Sequence, residues 1–327
     1  MNTSSYFRRA IGRLSVSGLR PAGVRGLVWR AVGHNKLASD HVWCKPEWGS
    51  HVADRELGTP LQLELVRDHL RVGLVQIREL WLPGFYRYWE VLSEPDNVSG
   101  ISQVDSLNSL LTFAKQNRVD HVRCFSNMAR WTDPGIATLL GTGTESFGTY
   151  INSLHVGLER LRSQMHPEHR RLMIRGEQAG IRVVDGIETT EFQQLLDEAY
   201  SKTNRRAPYR GRYIDNLLNR ARVPTIAVRA VSGRGTEAAG LCVYGTRCGY
   251  YLHGGSLTKP MSGATILVQL GIMERLIARG VSYYDFGGAR VDTTDERLHG
   301  IERFKRRFGG TYIPCTRWDW KRDRAES

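Results

Sequence analysis

Cysteine is scarce and poorly placed for bridging. The five cysteines (Cys44, Cys124, Cys242, Cys248, Cys315) are odd in number, widely scattered and free of any Cys-x-x-Cys pair, which argues against a disulfide framework or a zinc ribbon. A reducing cytoplasm is the expected compartment. Long hydrophobic runs are also missing: the longest, around 265–273, is interrupted by Gln269 and falls short of the roughly 18 residues that span a bilayer. Acid is missing from the start of the chain. Between Met1 and Ser39 there is no Asp or Glu, against Arg8, Arg9, Arg13, Arg20, Arg25, Arg30 and Lys36. A glycine-rich phosphate loop is lacking as well, because Gly141-Thr142-Gly143 and Gly233-Arg234-Gly235 have the flanks of ordinary turns.

What is present fits a folded protein of two domains. The chain has 327 residues, 41% apolar and 24% charged, enough for two cores of ordinary size. Its net charge of +13 and pI near 9.8 point to a polyanionic partner, either nucleic acid or an anionic membrane surface touched peripherally. Most of the cations are arginine, which grips phosphate with two parallel hydrogen bonds. The acid-free start, with Phe7, Ile11 and Leu14 at helical spacing, fits a transit peptide or a basic amphipathic arm.

Periodicity predicts mixed strands and helices in both halves. Leu61 to Val66 and Leu70 to Leu80 alternate as a hairpin, Asp105 or Ser106 is placed to cap a helix carrying Leu107, Leu110 and Leu111, and Val119 to Phe125 reads as a strand. Ser153 opens a predicted helix with Leu154, Leu158, Leu161 and Met165, followed by a helix beginning at Pro167 and a strand at Ile181 to Val184. A helix on Phe192, Leu195 and Leu196 leads into strands at Thr225 to Val231 and Ala238 to Tyr244 and a third holding Tyr250 and Tyr251. Next come a helix on Ile266, Leu270 and Met273 and a strand at Tyr283. The expected organisation is a basic arm over 1–40, an N-terminal domain over 41–150 and a C-terminal domain over 151–327.

The most informative stretch lies near the C-terminus. Tyr283-Tyr284-Asp285-Phe286-Gly287-Gly288 is followed shortly by Ile301 to Gly310, which sets Lys305 among aromatics and arginines after a strand end with two glycines. Such a lysine can meet an anion. Asp285 can take a proton or orient Lys305, or simply form a turn. The Asp285-Phe286-Gly287 trio lacks the companion loops of a kinase, so that reading fails. His166, Glu168 and His169 suggest a metal only superficially; Pro167 between them makes a solvated helix start the expectation, and no metal site is assigned.

The element order of the second half resembles the acetyltransferase-like (GNAT) fold. Members that use acetyl-CoA hold its pyrophosphate on a Gly-rich turn at a helix N-terminus, whereas Leu257 to Ala264 here has one glycine and Pro260. Coenzyme A is therefore disfavoured, and no cofactor is expected. The chain further resembles the Fem family of aminoacyl-tRNA-dependent transferases, which build peptidoglycan cross-bridges and include peptidyl-antibiotic relatives. The resemblance rests on His166 to Gly176 with Gly180-Ile181-Arg182-Val183, on Gly249-Tyr250-Tyr251 through Ser256, and on Tyr284 to Gly288 with Phe304 to Gly310. It covers about 100 to 315, while the first hundred residues match loosely.

The resemblance implies an α/β fold of two tandem GNAT-like domains with no coiled-coil arm, and formation of a peptide bond from an aminoacyl ester carried on tRNA. Lys305 would stabilise the oxyanion, with Phe304 against the RNA end and Asp285 beside them. Arg303, Arg306 and Arg307, with Arg170 and Arg171 of the basic helix, would meet tRNA phosphates. Arg212, Tyr213, Tyr251 and Lys36 would contact a small peptide or nucleotide-linked amine acceptor. An acyl-CoA N-acyltransferase of the same fold and a non-catalytic RNA-binding module are the alternatives. Nothing in the sequence sets the oligomeric state.

Overall fold

The computed structural model describes residues 22–24, 26–32, 41–45, 47–49, 51, 58–83, 86–97, 100–126, 128–202, 204–207, 211–220 and 223–323. Lys36, most of the basic arm, and Tyr209-Arg210 lie outside these residues. In chain order the strands and helices are β1 (Ala22–Val24), β2 (Leu27–Val32), β3 (Thr59–Arg67), β4 (Leu70–Leu82), β5 (Tyr86–Val91), α1 (Gln103–Gln116), β6 (His121–Cys124), α2 (Gly135–Leu140) and β7 (Thr144–Ser153). They continue with α3 (Leu158–Gln164), α4 (Pro167–Gln178), β8 (Arg182–Asp185), α5 (Thr189–Ser201), α6 (Arg212–Asp215), β9 (Thr225–Ser232), β10 (Gly235–Tyr244), β11 (Cys248–Ser256), α7 (Ala264–Ile277), β12 (Tyr283–Ala289), α8 (Glu296–Arg306) and β13 (Thr311–Lys321).

The chain divides into two compact units. The first holds β1 to β6, α1 and α2, and the end of β13 from Thr316; the second holds Ser146–Cys315 and a short piece with His41. Residues 27–32 therefore do not belong to a free arm: β2 pairs with β3, and Leu27 and Trp29 are buried. The chain beyond Cys315 likewise returns to the first unit instead of ending in the second.

In the first unit the strands run in the order β1-β2-β3-β4-β5-β6-β13, with β5 and β6 parallel. One face of this sheet carries Leu63, Leu65, Val75, Ile77, Trp89 and Val122, and it buries the apolar stripe of α1, including Leu107, Leu110 and Phe113. That stripe is the one predicted from spacing. The cap is different: Ser102 Oγ accepts from Asp105 N at 2.9 Å, so Asp105 is the third helical residue of a capping box and not the cap itself. The other sheet face is polar, with Arg78, Glu90, Arg123 and Asp319 in one cross-strand row.

The second unit orders its strands β7-β12-β11-β10-β9-β8. Its core is built on α7, whose Ile266, Leu270 and Met273 are buried among Val228, Cys242, Tyr284 and Phe286. On the opposite face α5 comes so close that a Cβ on Gly255 would lie 2.5 Å from the Leu195 carbonyl carbon. Ser153 does not open a helix. It ends β7, and after a short turn Gly157, at φ +78°, precedes α3.

Candidate active site

The site is built on a place where a sheet comes apart. β11 pairs with β10 from Ala238↔Ser256 to Tyr244↔Gly249, but with its parallel neighbour β12 only through Cys248↔Tyr283, Gly249↔Tyr284 and Tyr250↔Asp285. Past Tyr250 and Asp285 the two strands diverge, and their facing backbone groups need other partners. β12 bends there: its register against β7 shifts between Asp285 and Gly288, and Gly287 has φ +71°, a left-handed conformation suited to glycine. Asp285 is buried, and its Oδ1 accepts from Gly287 N at 2.8 Å and from the Thr149 hydroxyl. It acts as the brace of this bend.

Lys305 supplies donors to the strand. Reaching in from α8, its Nζ donates to the Gly287 carbonyl at 3.0 Å and the Gly288 carbonyl at 2.7 Å, which uses two of three ammonium protons. The residue is 9% exposed. Burial lowers its pKa to about 8, with Asp285 opposing the shift, so the group remains mostly an ammonium at neutral pH. α8 begins at Asp295, whose Oδ1 accepts from Arg297 N and Leu298 N, and this capped helix carries Lys305 to the bend.

The end of α8 is secured from another helix. Three of its last carbonyls are met by the following turn, Arg307 N to Arg303 O, Phe308 N to Lys305 O and Gly309 N to Arg306 O. Phe304 O is met by His169 Nε2 at 3.1 Å. This accounts for a terminal acceptor that the helix cannot satisfy alone. The imidazole lies edge-on to Phe308 with centroids 4.9 Å apart and close to Phe304 at 5.3 Å. His169 is thus buried, and the expected solvated helix start holds only for His166, whose Nδ1 accepts from Glu168 N. Burial drops the His169 pKa to about 4. A neutral ring donating through Nε2–H follows, with Nδ1 buried and unpartnered. Phe304 itself is half-buried against the core and packs on His169 and Phe308.

β11 contributes a second wall. Its register against β10 slips between Leu241 and Cys242, so that Cys242 opposes Tyr251 while Leu241 opposes His253. Leu252 is the extra residue of a β-bulge. The bulge puts Tyr250 and His253 on one face although they are three apart, and Tyr251 on the other. His253 Nε2 lies 3.2 Å from the Tyr213 hydroxyl, with the rings edge to face, and Tyr250 Oη lies 3.4 Å from His41 Nε2. Tyr251 instead packs on the α7 core, where burial pushes its pKa up to about 12. Of the expected acceptor contacts, Tyr213 and Tyr251 therefore lie on opposite faces of β11; Tyr250 shares the face of Tyr213, and so does His253, which the sequence reading did not single out. A strict two-residue alternation hides it.

The arginines separate into tied and exposed. Arg170 donates to Ser163 O and Met165 O at the end of α3, Arg306 pairs with Glu302, and Arg307 pairs with Glu168 at 2.7 Å. Glu302 in turn accepts from Tyr150 Oη at 2.7 Å. Arg171, Arg212 and Arg303 are exposed. Arg171 and Arg175 line a shallow groove of about 450 Å³ on α4, floored by Pro167 and Ile174. Among the described residues no group of three His, Cys, Asp or Glu is arranged to hold a metal ion.

The start of α7, where a GNAT enzyme would hold the coenzyme pyrophosphate, does not fit that group. A Cβ on Gly263 would lie 2.3 Å from Leu172 O, and one on Gly176 2.9 Å from Ser262 O, so the α4 backbone lies directly against the turn. The loop before it is fastened by Glu237 to Met261 N and by Glu198 to Thr258 N. No phosphate-sized cradle is present at these residues.

Parallel strands that splay beside a helix N-terminus define the GNAT-like class, here as two tandem α/β domains with no coiled-coil arm among the described residues. Residues 231–314 match the model of the FemAB family. In three dimensions the chain is similar to FemX, with a TM-score of 0.64 at 14% identity over 88% of this chain and 93% of that one. It is also similar to L-PGS from Bacillus licheniformis (TM-score 0.52, 13% identity, 77% and 82% covered). The C-terminal domain of a putative lysylphosphatidylglycerol synthetase from Agrobacterium fabrum compares equally (0.52, 14%, 77% and 82%). No curated protein matches the sequence significantly. Among the described residues, no helix is long and apolar enough to cross a membrane.

Proposed function

We propose that this chain is an aminoacyl-tRNA-dependent aminoacyltransferase that joins a tRNA-borne amino acid to an amine acceptor, a cell-wall precursor or a peptide antibiotic intermediate. The observation that carries the reading is the Lys305 ammonium, buried at the parting of β11 and β12 with two protons spent on Gly287 and Gly288. Its third proton is available for an oxyanion. An aminoacyl ester is already activated, so the protein has only to align the amine with the ester carbon and stabilise the charge that develops on oxygen. A fixed cation in a water-poor bend does this without reorganising. Asp285 and His169 hold the lysine's surroundings: the carboxylate braces the strand, the imidazole the end of the helix. Exposed Arg171, Arg175 and Arg303 suit phosphates of the RNA end.

The alternative of an acyl-CoA transferase is opposed by the α4 backbone lying on Gly263. The test is transfer of labelled amino acid from a pool of charged tRNAs to a panel of acceptors: a nucleotide-linked stem peptide with a free lysine amine, dipeptide amines, and phosphatidylglycerol vesicles. Product mass identifies both partners. Transfer is expected to vanish with RNase and with Lys305→Ala. Transfer that survives both, or that needs acetyl-CoA, overturns the reading; RNA binding without any transfer marks a non-catalytic module.

A further inference from the structure

We propose that His253, acting with the Tyr213 hydroxyl, is the proton acceptor and donor of the transfer, an inference that rests on the transferase reading above. Attack of a neutral amine on an ester gives a cationic nitrogen, which must shed a proton before the carbon–oxygen bond breaks. The carboxylates around the parted strands are committed elsewhere. Asp285 accepts from Gly287 N and Thr149, and Glu302 is held by Tyr150 and Arg306. His169 donates to Phe304 O from the α4 side. His253 comes from another strand. It lies on β11 three residues past the last rung shared with β12, and the bulge at Leu252 turns it to the face of Tyr250 and Asp285. There its Nε2 is 3.2 Å from Tyr213 Oη. The pair is carried by β11 and α6, and the Lys305 ammonium caps carbonyls of β12, the strand that parts from β11.

The step balances. The amine nitrogen bonds to the ester carbon while one of its protons passes to the Tyr213 oxygen, and the tyrosine's own proton moves to His253 Nε2. The ester carbon–oxygen bond then breaks with its electron pair on the RNA ribose oxygen, which takes the proton back from the histidinium through the same hydroxyl. Amide and free hydroxyl result, and the pair is restored. Imidazole suits both halves, since its ordinary pKa lies near neutrality.

The experiment measures single-turnover transfer from charged tRNA to whichever panel acceptor the unaltered protein uses. His253→Ala and His253→Gln are each expected to slow it about 100-fold, and Tyr213→Phe about 10-fold, with melting temperatures confirming folded protein. Added imidazole should restore much of the rate to His253→Ala and none to Lys305→Ala. Unchanged transfer by both His253 variants overturns this proposal alone, as does a loss in folded His253→Ala that imidazole leaves untouched. Failure of the unaltered protein to transfer removes the transferase reading and this proposal with it.

Discussion

In the first unit a cation has its anion on the neighbouring strand: buried Arg78 meets Glu90 directly opposite, and half-buried Arg87 meets Glu79 diagonally at 2.7 Å. In the second, Lys305 is buried against two neutral carbonyls, and its one counter-charge, Asp285, is occupied by a backbone N–H and a hydroxyl. The difference separates two uses of buried charge. A pair on adjacent strands closes on itself and locks a register, whereas a cation held by dipoles keeps a full positive field for something that arrives later. Lys305 and Asp285 are both buried where β12 parts from β11.

Substitutions at the two cations test this contrast most directly. Lys305→Ala should cut transfer at least 100-fold, about 3 kcal/mol of barrier, with only a small change in melting temperature, because removal of an ill-solvated charge offsets the loss of the donors to Gly287 and Gly288. A fall in melting temperature matching the loss of activity would make Lys305 a structural cation like Arg78. Arg78→Met should do the reverse, lowering stability by about 3 kcal/mol and sparing the rate per folded molecule, with Glu90→Met in the same chain recovering most of the loss. Denaturant titration of the two variants measures it.

A smaller effect should appear with pH. His169 titrates near 4 when folded and near 6.5 when unfolded, so the unfolded chain binds the extra proton and stability falls as pH drops from about 6.5 towards 4. Between pH 6.5 and 5 the loss should be about 2 kcal/mol, and His169→Phe should flatten that slope. Lys305 has the same sense at the alkaline end: its lowered pKa leaves stability flat below about pH 8 and rising above it. The smallest change is expected from Arg171→Ala with Arg175→Ala, a several-fold weakening of RNA binding and a shallower salt dependence. Salt-independent binding in that variant would move the RNA elsewhere.

Much of the frame was legible before any coordinates. The hairpin of β3 and β4, the stripe of α1, the Pro167 helix and the strand–helix passage around Lys305 follow from period and capping alone. β5, β7 and β13 were not foreseen: Arg87 and Glu90 interrupt the aromatics of Tyr86–Val91, Phe147, Tyr150 and Ile151 are spread among small and polar residues in Thr144–Ser153, and Pro314 breaks Thr311–Lys321. Position within the site was harder still. The arginine cluster gave no hint that Arg306 and Arg307 would be spent on Glu302 and Glu168. Pro167 suggested a wet helix start, yet His169, two residues further along, is buried. Two adjacent tyrosines, Tyr250 and Tyr251, could not be told apart without knowing where the strand slips.

That slip has a consequence for engineering. Because Leu252 is the extra residue of β11, removing it should leave Tyr251 opposite Cys242 and the downstream imidazole opposite Leu241 in unbroken alternation, so the strand loses its kink while every side chain keeps its face. A one-codon deletion would then separate the effect of the kink from that of the side chains it carries.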